Sequence, residues 1–154
     1  MNKIDYQEKK LDALFDTVAK FDKDEEIQSY LAKYLCVQAS GHLENVIKQL
    51  IEEYHDGSCK KSTANFVNFK LKHFTNIDTE KLKKLLKDFD SEWEKQFDSK
   101  VSERCLSSLT SIISNRHLIA HGSAQSSNIS YKMMVQYYFD LKEIIVVLRT
   151  IIKK

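Results

Sequence analysis

Within six positions, Arg116-His117-Leu118-Ile119-Ala120-His121 gathers an arginine and two histidines from a chain with three arginines (Arg104, Arg116, Arg149) and five histidines in 154 residues. An arginine presents a planar fork of N–H donors that suits a phosphate or carboxylate. A histidine exchanges a proton near neutral pH. Together they suit proton transfer beside a bound oxyanion. The group closes an apolar run, and Gly122 after it marks a helix end. Two plainer roles compete. Cations favour the C-terminal end of a helix, where Arg116 and His121 would neutralise unpaired carbonyls. His117 and His121, four apart, also share a helix face at the spacing of a zinc-binding pair. The zinc motif needs a glutamate where this chain has Leu118, and no third ligand stands out, although His42, His55, His73 and Glu44 exist. Neither a metal nor a cofactor is expected.

Helices must position this group. Proline is absent and glycine occurs three times, too few turn formers for a sheet protein, which points to long helices joined by short loops. The length and the 42% hydrophobic content suit one domain over residues 1–154 with its own core. A net charge of +2 neither announces nor forbids a nucleic-acid partner, because a local patch is enough. The three cysteines (Cys36, Cys59, Cys105) contain no C-x-x-C pair, so free thiols in a reducing compartment are expected. With no apolar run approaching a membrane span and no secretory leader, a soluble cytoplasmic protein with no membrane partner is expected.

Apolar spacing predicts the elements. A first helix runs from about Ile4 to Phe21. A long one runs from Glu25 to Tyr54, striped by Ile27, Tyr30, Leu31, Tyr34, Leu35, Ala39, His42, Leu43, Val46, Ile47, Leu50, Ile51 and Tyr54. Gly41 inside it hints at a close helix approach or a bend. A loop from His55 to Ser62 precedes a short helix near Thr63 to Phe74, and Asn76-Ile77-Asp78 breaks the pattern. One run then spans Thr79 to Phe97, with Phe89, Trp93 and Phe97 on its core stripe. Ser99 or Ser102 caps the next helix, which ends at His121-Gly122. After a polar loop, Ser130 caps a last helix to Ile152. The fold class is all-α, a bundle of five to six helices with the two long helices and the last two forming the core.

Arg116-His117-Leu118-Ile119-Ala120-His121 resembles the R-x-x-x-x-H motif of the HEPN superfamily of ribonucleases, with His117 at the position after the arginine where the pattern favours a polar residue. The Ala120-His121-Gly122 ending, the polar loop and the Ser130-capped helix are similar to the branch associated with prokaryotic toxin and phage-defence systems. Ala39-Ser40-Gly41-His42-Leu43-Glu44 also looks like that branch, where a small-residue turn precedes a glutamate facing the site.

The resemblance implies a HEPN-like two-fold dimer and a metal-independent endoribonuclease, a toxin or effector of a toxin–antitoxin or phage-defence system. RNA brings its own nucleophile, the 2′-hydroxyl, so cleavage needs a base for that proton and a cation for the pentacoordinate phosphorane. His121 is the expected general base or acid and Arg116 the phosphate and transition-state clamp. His117 would orient RNA or relay a proton. Asn115 and Glu44 are supporting candidates, Glu44 because a carboxylate can fix an imidazole tautomer. The expected partners are an RNA substrate, a second copy of the chain, and a cognate antitoxin or partner ATPase. The alternative is a non-catalytic HEPN-like helical module that binds RNA, a nucleotide or a partner protein.

Five residues along an α-helix fall about 140° past one turn, so Arg116 and His121 do not share a face of a continuous helix. Either the last turn unwinds at Gly122, or a second chain completes the site. The resemblance implies the second.

Overall fold

Asp24 starts the longest helix: its carboxylate accepts the Ile27 N–H at 3.0 Å, and Glu25 and Glu26 follow in the first turn, where the helix dipole favours negative charge. The computed structural model describes residues 2–57, 59–122 and 127–153. Among them the chain forms seven helices and no strand: α1 (Lys3–Ala19), α2 (Glu25–His55), α3 (Lys61–Lys72), α4 (Thr79–Phe89), α5 (Ser91–Lys100), α6 (Glu103–Ala120) and α7 (Tyr131–Ile151).

The 31-residue α2 is the axis of the molecule, with α1, α6 and α7 packed on it. Three neighbours explain why its middle is buried nearly all round, from Leu35 and Cys36 through Leu43, Val46, Ile47 and Ile51. The pairs Arg104–Glu143 and Ser108–Asp140 show that α6 and α7 run antiparallel. Arg149–Asp5 and Lys142–Asp12 show the same of α7 and α1. Asp140 on α7 is wholly buried, but Ser108 Oγ donates to it at 2.5 Å and Arg104 pairs with it at 3.0 Å. These partners offset the cost of burying its charge. Helices α3 to α5 cover the remaining face of the bundle: α3 packs on α2, α4 on α6, and α5 on α7.

The run expected as one helix from Thr79 to Phe97 is two, which raises the count to seven. Asp90 takes an extended backbone, and its carboxylate accepts the Glu92 N–H at 2.8 Å, so it caps a fresh helix. Trp93 and Phe97 are core residues as expected, at 5% and 0% exposure. Ile27, Tyr30 and Tyr34 are not, although they fall on the stripe of α2: they are 43%, 62% and 49% exposed. Of the two candidate caps before α6, Ser102 serves, accepting the Cys105 N–H. All three cysteines are free, and burial pushes the Cys36 thiol up to about 12. No helix among the described residues is long and apolar enough to cross a membrane.

Two residues of α2 stay unexplained by packing. A Cβ built on Gly41 would meet nothing within 4 Å, so close helix approach is not its reason, although a mid-helix glycine costs about 1 kcal/mol against alanine. His42 is 6% exposed and its Nε2 is buried without a hydrogen-bond partner. Burial, reinforced by the Arg149 and Lys142 charges and opposed by Asp12, lowers its pKa from 6.5 to about 4. Between those values the unfolded chain holds a proton that the folded chain refuses. The stability from neutral His42 is therefore complete above pH 6.5 and drains away as pH falls toward 4. Relative to His42→Gln, the wild-type chain is expected to lose up to about 1.4 kcal/mol per pH unit in that window. Urea denaturation across pH would measure this, and parallel profiles for the two proteins would contradict it.

Candidate functional site

The site is built on the last turn of α6. The helix is regular through Ala120, the His121 N–H donates to the His117 carbonyl at 3.1 Å, and Gly122 follows with φ +74°. That left-handed residue, which glycine adopts without steric cost, ends the helix where the sequence places its end. His117 and His121 lie one turn apart on one exposed face, their ring centroids 4.2 Å apart and the planes inclined at 54°. Arg116 leaves the helix on a different side, half-buried, beside Gly41 and Asn45 of α2.

Arg116 differs from the other two arginines. Arg104 pairs with Asp140 and Glu143, and Arg149 with Asp5 and Glu8. Among the described residues no carboxylate pairs with Arg116. Its Nη1 donates to the side-chain carbonyl of Asn76, a neutral group. Its Nε is buried without a partner among the described residues. An unmet buried donor costs about 1–3 kcal/mol, and the Asn76 amide fixes the guanidinium without cancelling its charge. Among the described residues, the one side chain that hydrogen-bonds the guanidinium is therefore neutral.

Asn76, in the turn between α3 and α4, joins three parts of the site. Its φ of +53° is a conformation that asparagine tolerates better than most residues. Its N–H donates to Glu44 Oε1 at 2.8 Å, and its carbonyl accepts from Lys81 Nζ at 3.2 Å. Its neighbour Ile77 is wholly buried and anchors the turn. Glu44 therefore reaches Arg116 through Asn76, and among the described residues no hydrogen bond joins it to an imidazole. Asn115 is also a brace: its Nδ2 donates to the Ser111 carbonyl at 2.8 Å, and its Oδ1 accepts from Ser127 Oγ at 2.7 Å. It ties the end of α6 to the approach to α7. Of the intervening polar loop, residues 123–126 lie outside the described residues.

The structure thus brings Glu44, Asn76 and Arg116 together, and His117 with His121. No hydrogen bond or ion pair among the described residues joins Arg116 to either histidine. Because α6 stays helical through Ala120, it unwinds too late to turn His121 onto the arginine's face. Sequence reasoning missed Asn76. Its contacts come from 32 and 40 residues away, so no local spacing marks it. A metal-type cluster, Cys105, Asp140 and Glu143, lies near the opposite end of α6, where Arg104 already pairs with both carboxylates.

An all-helical bundle with an R-x-x-x-x-H helix end is the arrangement of a HEPN-type domain, and comparison with known families agrees. The chain belongs to the family described as RiboL-PSP-HEPN, whose model matches residues 2–154. No curated protein and no solved structure matches it.

The role of Asn76 can be tested with two variants. Asn76→Gly keeps the left-handed backbone and only releases Arg116, whereas Asn76→Ala adds backbone strain. The alanine variant should be the less stable by about 1 kcal/mol in urea denaturation. Equal stability of the two would contradict the conformational part of the account.

Proposed function

We propose that this chain is a metal-independent endoribonuclease in which Arg116 and His121 do the chemistry. The observation that carries the proposal is the uncompensated, half-buried Arg116 guanidinium on the same helix end as two exposed imidazoles. Membership of a HEPN-type family, whose domains are often ribonucleases, supports it.

In the proposed reaction the 2′-oxygen of RNA attacks the adjacent phosphorus as an imidazole takes its proton. The new 2′-O–P bond forms, the P–O5′ bond breaks, and the departing 5′-oxygen gains a proton. The products are a 2′,3′-cyclic phosphate and a 5′-hydroxyl. His121 is the base or acid, a task for which an imidazole is chemically suited. Arg116 binds the non-bridging oxygens and stabilises the charge of the phosphorane. His117, whose ring lies tilted against that of His121, relays the proton or orients RNA. Asn115 and Glu44 act as braces, Glu44 through Asn76. Since one helix end directs Arg116 and His121 apart, the working site is composite: Arg116 of one subunit meets His121 of a second copy across a two-fold axis. A toxin or effector role in the cytoplasm, with a cognate antitoxin or partner ATPase, fits this activity and is part of the proposal.

The test is incubation of RNA with the chain in EDTA, beside Arg116→Ala and His121→Ala. Cleavage should persist under chelation, spare DNA, and fall at least about 100-fold in each variant. Cleavage that stops on chelation, or survives both substitutions, would overturn the mechanism. RNA binding without cleavage would instead favour a non-catalytic helical module.

A further inference from the structure

A groove of about 840 Å³ lies between α1 and α2, bounded on α1 by residues from Lys3 to Leu14 and on α2 by residues from Val37 to Asn45, with Arg116 at its edge. That volume is in the range of a small-molecule site. Its wall carries three cations, Lys3, Lys10 and Arg116, and no carboxylate. A smaller hollow of about 480 Å³ elsewhere is lined by Glu52, Glu53 and Asp56, so the absence of acid is particular to the first.

Three buried polar atoms without partners belong to residues lining this one groove: Gln7 Oε1, His42 Nε2 and Arg116 Nε. One is an acceptor, one a donor, and a neutral imidazole nitrogen can be either. Apolar wall is supplied by Leu11, Leu14 and Val37. Gly41, over which a side chain would meet nothing, keeps that wall open. The Tyr6 ring is 48% exposed, with Lys10 Nζ 4.9 Å from its centroid.

Flat apolar faces, a polar edge of mixed donors and acceptors, and an attached anion are the chemistry of a nucleotide. We infer that the α1–α2 groove is the subsite for the nucleotide flanking the scissile phosphate of a single-stranded RNA. The inference rests on the proposed ribonuclease activity and names where its substrate lies. Arg116 links the two sites, since the same guanidinium borders the groove and clamps the reacting phosphate. Lys3 and Lys10 carry the backbone away from it.

The probe is a fluorescein-labelled single-stranded RNA with every 2′-hydroxyl methylated, which cannot be cleaved, followed by fluorescence polarisation. Gly41→Leu fills the groove from the helix itself, and because the glycine faces open space the variant should keep its helix content and melting temperature. It should bind the probe at least about tenfold more weakly. Lys10→Glu should also weaken binding and flatten its salt dependence. If Gly41→Leu binds the probe as wild type does while wild-type protein cleaves RNA, the groove inference is overturned and the ribonuclease proposal stands. If wild-type protein binds the probe, loses it on Gly41→Leu, and never cleaves, the groove stands and the ribonuclease proposal falls. A wild-type chain that cleaves RNA but does not bind the probe overturns the groove inference alone, and one that neither binds nor cleaves overturns both. If Gly41→Leu instead lowers the oligomeric mass in sedimentation, the groove is an interface between copies and the inference is overturned.

Discussion

A positive charge held by a neutral partner governs this molecule's site. Arg116 is half-buried at the end of α6, and the side chain that fixes it is the Asn76 amide. The partial negative charge of the helix end favours a cation there, which helps the guanidinium persist without a carboxylate. Around that contact the supports are arranged in depth. Glu44 holds the Asn76 backbone, Ile77 anchors the turn in the core, and Asn115 clamps the chain on the far side of the helix end. A carboxylate at position 76 would position the arginine equally well and consume its charge.

Helix geometry imposes the second constraint. The face that carries Arg116 toward α2 carries His121 elsewhere, because α6 remains regular through Ala120. Two exposed imidazoles in mutual ring contact and one recessed guanidinium then sit at one helix end, and among the described residues no hydrogen bond joins the guanidinium to either ring. The proposed composite site between two copies would reconcile that separation with chemistry needing both groups on one phosphate. In the proposed reaction RNA supplies the nucleophile, which leaves position and charge to the protein, and rigid helix ends provide both well.

Local features were legible in the sequence. Asp24, Ser102, Ser130 and Gly122 mark helix ends by their own chemistry, and the structure uses each one. The break at Asp90 was hidden, since Leu86, Phe89, Trp93 and Phe97 keep helical spacing straight through it. The acidic first turn, Glu92 and Glu94 after Asp90, was the available signal. Ile27, Tyr30 and Tyr34 misled for a different reason: periodicity identifies a face but not whether anything covers it. Glu44 accepts the Asn76 N–H, a contact across 32 residues that no local spacing marks. Asn76 read only as a helix breaker, because a contact spanning 40 residues leaves no local trace.

Mixed dimers decide whether two copies share one proposed site. Arg116→Ala and His121→Ala chains, co-expressed with different tags and purified as the mixed dimer, keep one intact pair of the two. Each variant alone should be inactive, while the mixed dimer should cleave RNA at about half the wild-type rate. A mixed dimer as inactive as its parents would contradict the account.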